Sequence, residues 1–356
     1  MAGKKIVLTG GGTAGHVTPN MALMPSLREA GYEIYYIGSY EGIEKKLIEE
    51  TGVPYYGISS GLLRRYFTLK TIKEPRKVIK GANEAGRILK KLKPDVVFSK
   101  GGFVSVPVVW AAKRLGIPVI IHESDLTPGL ANKLSMPCAD RVCCNFPETL
   151  SYLPESKAVL TGSPIRQELY EGDREAARKL CGFDEGLPVL LVIGGSLGSA
   201  AINGAVRECL PELLKHFQII HICGKGNLDE GLKCTKGYIQ FEYVKKELSN
   251  LFALTDIMIS RAGANAICEI LALRKPNLLI PLSKAASRGD QILNAGSFKK
   301  QGFSYVLLEE EVNHESLLKA VKEVYENREE YKKTMMGSEM ADSIGIIMGL
   351  IEEVQK

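Results

Sequence analysis

A glycine-rich stretch with a histidine, GGGTAGHVTP (10–19), follows an apolar run near the start of the chain. Gly10, Gly12 and Gly15 have the G-x-G-x-x-G spacing of a dinucleotide-binding loop. Glycine lets the backbone approach a ligand closely, and free N–H groups at a helix start favour an anion. His16 adds an imidazole, whose ordinary pKa of about 6.5 suits proton transfer near neutral pH. The pattern predicts an anion-binding loop that presents a histidine to its ligand.

A nicotinamide or flavin cofactor is the alternative ligand for this loop. Dinucleotide-binding folds place an acidic residue about 20 positions further on, at the end of the second strand. Here Gly38 and Ser39 occupy that place, and Glu41 comes late. Pro19 also interrupts the turn into the helix, which we expect to begin near this proline. These features disfavour a dinucleotide, and we predict no cofactor.

Five further stretches combine glycines with polar or titratable residues. Two of these stretches are glycine-rich loops like the first, so ligand contacts are expected from both halves of the chain. The stretches are SKGGFVSVP (99–107), HESDLTPGLANK (122–133), GSPIR (162–166), GGSLGS (194–199) and SRAGANAICE (260–269), the last followed by PLSKAASRGDQILNA (281–295).

The elements that must position these residues alternate between strand and helix. Apolar runs such as KKIVLTG (4–10), YEIYYIG (32–38) and LPVLLVIGG (187–195) predict parallel strands that are buried on both faces. Helical patterns such as 19–31 separate the strands, and the last stretch, 315–356, is also predicted helical. Repeated strand–helix units predict an α/β fold with right-handed, doubly wound parallel sheets.

The length of 356 residues suits two domains better than one core. Because the strand–loop–helix pattern starts again in the second half, we predict Rossmann-like domains over 1–163 and 164–340. The C-terminal helix, about 340–356, is expected to pack back on the first domain. The segment LTGSPIRQEL (160–169) is the predicted linker.

Composition narrows the class of protein. The eight cysteines form no C-x-x-C pair, so we interpret them as reduced core residues and predict no metal site. No stretch approaches the ~20 apolar residues of a membrane span. The first residues also lack the apolar run of an export signal. We expect a cytoplasmic protein whose membrane contact is peripheral; the sequence does not indicate an oligomeric state.

Positive charge is concentrated in one segment. The net charge is +5, and residues 62–81 contain seven basic residues and one acidic residue. Apolar side chains alternate with the bases, which favours binding to an anionic membrane surface over a merely solvated face. No nucleic-acid-binding motif accompanies the segment, so nucleic acid is not expected as a partner. The predicted membrane-binding residues are Leu62, Leu63, Arg64, Arg65, Tyr66, Phe67, Arg76 and Lys77.

Taken together, the motifs resemble those of the MurG-type bacterial N-acetylglucosaminyltransferases, from residue 4 to about residue 350. GGTAGH corresponds to the family's GGTGGH, GGFVSVP to GGYVSGP, HESDLTPGLANK to HEQN-x-x-x-G-x-x-NK, and GSPIR to GNP-[IV]-R; GGSLG and RAGA…E also recur. The resemblance implies the GT-B fold, in which two Rossmann-like domains face a cleft. It implies transfer of GlcNAc from UDP-GlcNAc to the MurNAc 4-hydroxyl of lipid I, undecaprenyl-pyrophosphoryl-MurNAc-pentapeptide. The product would be lipid II, with a β-1,4 link, made at the cytoplasmic face of the membrane.

Site residues also follow from the resemblance. His16 is the implied general base for the MurNAc hydroxyl, with Glu123 and Asp125 as rivals. The implied substrate contacts are Thr13, Ala14 and Gly15 (donor sugar and phosphate, or acceptor pyrophosphate), Arg166 and Ser196 (UDP), Gly263 and Ala264 (the uracil-side phosphates), Glu269 (ribose hydroxyls) and Gln291 (GlcNAc hydroxyls). Asp125 is a further substrate-binding residue, without an assigned moiety.

The expected chemistry uses no metal, because no Asp-x-Asp pair occurs to hold one on the nucleotide. Backbone N–H groups, a helix N-terminus and Arg166 would stabilise the leaving UDP instead. We expect a single displacement with inversion. The alternatives are a UDP-sugar transferase that uses another lipid acceptor, a UDP-GlcNAc 2-epimerase and, from another class, a nicotinamide oxidoreductase.

Several residues depart from the family pattern or allow two interpretations. Lys100 could bind the acceptor pyrophosphate or be solvated, His122 could be structural or functional, and Trp110 could be a core residue or a membrane anchor. Glu123 and Asp125 could simply cap the next helix. The departures are Ala14, Ser124, Asp125, Ala266 and Asp290, and we expect the loop that contains Asp290 to be two residues longer than in the family.

Overall fold

The chain folds into two compact units, of which the second is a continuous segment. The first unit is formed by Met1–Arg166 with Asp342–Lys356, and the second by Gln167–Ala341. The computed structural model describes residues 3–61, 74–195, 197–284, 289–338 and 342–355.

A parallel sheet of seven strands forms the centre of the first unit. Its strands are β1 (Lys4–Thr9), β2 (Tyr32–Ser39), β3 (Tyr55–Ile58), β4 (Val96–Ser99), β5 (Val119–Glu123), β6 (Arg141–Cys144) and β7 (Ala158–Leu160). The strand order is β3-β2-β1-β4-β5-β6-β7. The helices that alternate with these strands are α1 (Thr18–Glu29), α2 (Ile43–Glu49), α3 (Glu74–Leu92), α4 (Ser105–Arg114) and α5 (Leu130–Ser135).

Both faces of this sheet are covered. Successive side chains of a strand point to opposite faces. In β1, Ile6 and Leu8 accordingly join one buried cluster, whereas Val7 joins the other. All three side chains are fully buried, which explains why the sequence shows an uninterrupted apolar run instead of an alternating one.

The second unit repeats the arrangement with six parallel strands. They are β8 (Val189–Ile193), β9 (Gln218–Ile222), β10 (Tyr238–Phe241), β11 (Ile257–Ser260), β12 (Asn277–Leu279) and β13 (Tyr305–Val306), in the order β10-β9-β8-β11-β12-β13. The helices are α6 (Arg174–Cys181), α7 (Ala200–Glu208), α8 (Leu210–Leu213), α9 (Leu248–Leu254), α10 (Ala264–Ala272), α11 (Asp290–Lys300), α12 (His314–Glu326) and α13 (Arg328–Met336).

Each sheet has a topological switch point, and it lies at the corresponding strand of the two sheets. In the first unit β1 lies between β2 and β4, and in the second β8 lies between β9 and β11, so the strand order reverses direction at the same place. Open α/β sheets bind ligands beyond the carboxyl ends of the strands at such a point. The predicted α/β class with two Rossmann-like, doubly wound parallel sheets is confirmed.

The C-terminal segment returns to the first unit as α14 (Ser343–Glu353). Ile347 and Ile351 are fully buried in the cluster that contains Ile6 and Leu8. The predicted helical stretch 315–356 thus contains three separate helices, α12, α13 and α14, of which only the last belongs to the first unit. Within the described residues, none of the helices combines the length and apolar character needed to cross a lipid bilayer.

We expect Ile351→Ala to destabilise the first unit by about 3 kcal/mol, because it leaves a cavity in a packed core. Trp110, the single tryptophan, reports on that unit: its indole N–H donates to the Leu134 carbonyl at 3.0 Å. Urea unfolding, followed by Trp110 fluorescence, measures the loss of stability. Leu317→Ala, at a fully buried position of the second unit, is the matched control. An unchanged Trp110 transition in Ile351→Ala would contradict the packing of α14.

Candidate active site

The glycine loop after β1 contacts the loop that follows β4. Gly11 N–H donates to Gly101 O at 3.3 Å, and Lys100 N–H donates to Thr9 O at 2.9 Å. Gly102 has φ of +82°, and a Cβ there would lie 2.2 Å from Gly11 O. Close backbone contact between the two loops therefore requires glycine at this position. The two motifs, which are far apart in sequence, thereby form one surface at the carboxyl edge of the sheet.

Glu44 on α2 fixes the glycine loop from below, and the sequence analysis missed it. The side chain is 1% exposed. Its carboxylate accepts hydrogen bonds from Gly12 N–H at 3.2 Å and from Ser39 N–H at 3.0 Å. Gly12 N–H is therefore engaged by Glu44 and is not available to a ligand. The sequence shows an acidic residue shortly after β2, but it does not reveal that the partner is Gly12, 32 residues away.

His16 ends the 3-10 helix Ala14–His16, and its Nδ1 lies 3.1 Å from Thr13 Oγ1. Burial lowers the pKa of His16 to about 4, assisted by the positive charge of Lys100 and opposed by a hydrogen bond to the Gly11 backbone and by the Glu44 carboxylate. The imidazole is therefore neutral at pH 7. It can accept a proton, as a general base must.

Lys100 and His122 are paired inside the first unit. Lys100 is 1% exposed, and its Nζ lies 2.7 Å from His122 Nδ1 and 2.6 Å from Ser124 Oγ. Since the ammonium can only donate, His122 Nδ1 accepts and its Nε2–H donates to Gly162 O at 2.8 Å. Burial and then the Lys100 charge lower the pKa of His122 well below its usual value. Both nitrogens of the buried His122 ring are thus engaged within the protein, which favours the structural interpretation of this residue. The interpretation of Lys100 as a solvated side chain is wrong.

Glu123 organises the loop that carries Asp125. Its Oε1 accepts from Asp125 N–H at 3.0 Å, and its Oε2 accepts from Gly129 N–H and from Asn132 Nδ2, both at 2.9 Å. Burial raises the pKa of Glu123, and these hydrogen bonds act in the opposite direction. Both carboxylate oxygens thus hold the loop together up to the start of α5, where Gly129 occupies the N-cap position. Asp125 is half-buried.

In the second unit, α10 begins at the carboxyl end of β11, next to the switch point. Gly263 is its N-cap residue, and glycine has no side chain that could cap the first N–H groups of the helix. Ala264 is the first helical residue, and Glu269 follows on the same helix, where it is half-buried. The start of α10 therefore has the geometry of an anion site.

Gln291 lies in the first turn of α11 and not in a loop. Its Oε1 accepts a hydrogen bond from Leu282 N–H at 3.1 Å. From the same helix, Asn294 Nδ2 donates to Ala262 O at 3.2 Å, which ties α11 to the segment that precedes α10. Gln291 therefore lies on a helix that one hydrogen bond connects to the start of α10, where Gly263 and Ala264 lie.

Arg261 connects the loops of the second unit, and the sequence analysis gave this residue no role. Its guanidinium is largely buried and donates to Ser199 Oγ at 2.6 Å and to the carbonyls of Ile280 and Pro281 at 3.1 and 3.2 Å. It also forms an ion pair with Glu309. Ser199 is the N-cap of α7, so Arg261 links the end of the GGSLGS loop to the end of β12.

The structure describes only some of the remaining predicted residues. Arg166 is half-buried at the end of the first unit's main segment. Arg76 and Lys77 are exposed on α3, close to the exposed side chain of Ile79. The predicted residues outside the described part of the chain are Leu62, Leu63, Arg64, Arg65, Tyr66, Phe67 and Ser196.

Known families match both halves of the chain. The model of the glycosyltransferase family 28 N-terminal domain matches residues 6–144, and that of the C-terminal domain matches residues 189–345. A protein of Lachnospira eligens is 64% identical over 353 residues, which are 99% of this chain and 100% of that protein. Its name is UDP-N-acetylglucosamine--N-acetylmuramyl-(pentapeptide) pyrophosphoryl-undecaprenol N-acetylglucosamine transferase. The chain belongs to the MurG-type group of glycosyltransferase family 28.

Two further comparisons agree with this assignment. A protein of the same name from Lachnoclostridium phytofermentans is 62% identical over 352 residues, which cover 99% of both chains. The crystal structure of Acinetobacter baumannii MurG aligns with a TM-score of 0.76 at 25% identity, covering 98% of this chain and 99% of that one. The predicted family, the GT-B fold and the hexosyltransferase class are confirmed, and the nicotinamide oxidoreductase alternative has no support.

We expect Arg261→Met to lower the free energy of unfolding of the second unit by about 3 kcal/mol, because it leaves the Glu309 carboxylate without its guanidinium partner. Arg261→Met with Glu309→Leu should recover part of the loss. Urea unfolding followed by circular dichroism measures both. Arg174→Met removes the more exposed ion pair with Asp256 and should cost less than about 1 kcal/mol. Equal losses for Arg174→Met and Arg261→Met would contradict the role of Arg261.

Proposed function

We propose that this chain transfers GlcNAc from UDP-GlcNAc to the 4-hydroxyl of MurNAc in lipid I, which forms the β-1,4 link of lipid II for peptidoglycan. The observation that carries the proposal is the identity of 64% over the full length of a transferase with this named activity. Acceptor, donor and product are those that the relative's name and the motif resemblance indicate together.

The two units are proposed to divide the substrates. The first unit, with the glycine loop and His16, binds the lipid-linked acceptor, and the second unit binds UDP-GlcNAc. The neutral imidazole of His16, at the end of the 3-10 helix that follows the glycine loop, supports the first assignment. The glycine-started helix α10 supports the second, because its dipole and N–H groups favour a diphosphate.

We propose a single displacement at the anomeric carbon. The acceptor O4 forms a bond to C1 of GlcNAc while the bond from C1 to the diphosphate oxygen breaks. The O4 proton passes to neutral His16, and UDP leaves with the bonding electrons. Attack from the side opposite the leaving group inverts the configuration at C1. Asp125, half-buried on the loop held by Glu123, is proposed to contact substrate and remains the rival base together with Glu123.

The leaving diphosphate is proposed to be stabilised without a metal. The N–H groups at Gly263 and Ala264, the guanidinium of Arg166 and the loop that contains Ser196 supply the positive charge and donors. One helix terminus contributes up to about 2 kcal/mol and one charge-assisted hydrogen bond about 1.5–3 kcal/mol. Several such donors in a preorganised site can replace a cation. Glu269 is proposed to accept from the ribose hydroxyls, and Gln291 to bind the GlcNAc hydroxyls.

The acceptor is lipid-linked, so we further propose that the protein works at the cytoplasmic face of the membrane as a peripheral protein. The exposed bases Arg76 and Lys77 on α3, next to exposed Ile79, support this location. Each base near an anionic leaflet contributes about 1 kcal/mol.

A transfer assay tests the proposed function. Radiolabelled UDP-GlcNAc is incubated with a lipid I analogue in the presence and absence of EDTA, and the anomeric configuration of the product is read by NMR. We expect EDTA-insensitive transfer and a β-linked product. Transfer to diacylglycerol only, or release of the 2-epimer without transfer, would establish one of the alternatives. Retained configuration would exclude single displacement.

We expect His16→Ala to lower kcat by 10²–10⁴-fold, the usual contribution of a positioned base, and to leave the KM for UDP-GlcNAc almost unchanged. Because the pKa of His16 is about 4, the wild-type rate should stay level from pH 8 to about 6 and fall as the pH drops towards that pKa, where the imidazole becomes protonated. Steady-state kinetics across pH measure both effects. His216→Ala, at an exposed histidine of the second unit, is the control. A full kcat in His16→Ala would show that His16 is not the general base and would leave Glu123 or Asp125 as the base.

Neutralising Arg64, Arg65, Arg76 and Lys77 to glutamine should reduce binding to anionic vesicles by more than tenfold, as expected from a loss of about 1 kcal/mol for each base. Co-sedimentation with phosphatidylglycerol vesicles measures this reduction in binding. The control variant neutralises four exposed lysines of the second unit, Lys215, Lys225, Lys233 and Lys236. If both variants bind equally, the patch is not the membrane anchor.

A further inference from the structure

Lys100 is a fully buried base directly at the carboxyl end of β4. Its backbone N–H extends the contact with β1, and its Cβ lies 3.4 Å from the position that a Cβ on Gly10 would occupy. The side chain then reaches beneath the neighbouring loop, where Nζ contacts His122 and Ser124. Lys100 thus follows β4 directly, binds the end of β1 through its backbone and contacts the loop after β5 through Nζ.

The second unit has a counterpart at the equivalent position. β4 and β11 occupy the same place in their sheets, next to the first strand at the switch point. Ser99 ends β4 and Ser260 ends β11, and each is followed at once by a buried base, Lys100 or Arg261. Arg261 links the loops of its unit through Ser199 and two carbonyls. The repeat of a buried cation at this point indicates a common task, which is to fix the ligand-binding loops from beneath.

The charge of Lys100 acts on the surface above it. It lowers the proton affinity of His16, whereas the Glu44 carboxylate on α2 acts in the opposite direction. Glu123, the last residue of β5, faces the loop that follows the strand, with Asp125 N–H and Asn132 Nδ2 among its donors. A positive charge beneath this surface favours a bound anion above it.

We propose that Lys100 is the positioning residue of the acceptor half of the site: it holds the Ser124–Asp125 loop against the glycine loop and places positive charge beneath the diphosphate of the acceptor. This inference rests on the proposed function for the identity of the acceptor. The contacts of Lys100 with His122 and Ser124 do not depend on that identity.

Kinetics of Lys100→Met separate this role from a general structural one. Methionine keeps most of the side chain's volume and removes the charge and the donor. We expect the KM for the lipid I analogue to rise at least tenfold and the KM for UDP-GlcNAc to change less than twofold, because the donor site lies on the other unit. Lys113→Met, at a half-exposed lysine of α4, is the control and should change neither KM. An equal rise of both KM values in Lys100→Met would overturn the proposal.

NMR titration gives a readout that does not need activity. The chain has five histidines, which can be labelled and assigned. Removing the cation favours imidazolium, so Lys100→Met should raise the pKa of His16 from about 4 towards its ordinary value, while His221 in the second unit keeps its pKa of about 3. An unmoved His16 would overturn the proposal even if the wild type proved to transfer to another acceptor. A wild type that is inactive towards lipid I, with His16 shifted in the variant, would refute the function alone.

Ser124→Ala provides the test if Lys100→Met does not fold. It removes only the hydroxyl that Nζ contacts at 2.6 Å and leaves the charge in place. We expect the KM for the lipid I analogue to rise about fivefold, the KM for UDP-GlcNAc to stay constant and the His16 pKa to stay near 4. An unchanged acceptor KM in this variant would overturn the positioning of the loop by Lys100.

Discussion

A buried cation at the switch point of each sheet is the interaction on which the rest of the site depends. Parallel strands deliver their loops to one edge, but the strands themselves do not fix the conformation of those loops. Lys100 does so in the first unit and Arg261 in the second, through short hydrogen bonds to neighbouring loops. Because a buried charge is costly unless it is hydrogen-bonded, each cation strongly favours the single loop arrangement that satisfies it.

Buried carboxylates complete this framework. Glu44 binds Gly12 N–H and Ser39 N–H, and Glu123 closes the loop from Asp125 to Gly129. These acids occupy backbone donors that a simple reading of the glycine motif would give to the ligand. Gly12 N–H and Ser39 N–H are therefore engaged within the protein and fix the loop that ends at His16.

The fold was predictable because its signals are local. Apolar runs such as residues 6–8 in β1 and Val189–Ile193 in β8 can only be buried on both faces, and glycine-rich turns after these strands mark the carboxyl edge. The sequence also indicated His16 and the start of α10, which lie within single motifs. The roles of Glu44, Lys100 and Arg261 could not be predicted, because each depends on partners far away in sequence: Gly12 for Glu44, His122 for Lys100, and Ser199 and Glu309 for Arg261.

The most direct measurement is a crystal structure of the protein with UDP bound, grown without divalent cations. We expect the diphosphate within hydrogen-bond distance of the N–H groups at the start of α10. We also expect that Arg261 stays on Ser199 and Glu309, so that the guanidinium shapes the site without touching the phosphates. A diphosphate bound elsewhere, or Arg261 released from Ser199 to bind it, would contradict the account.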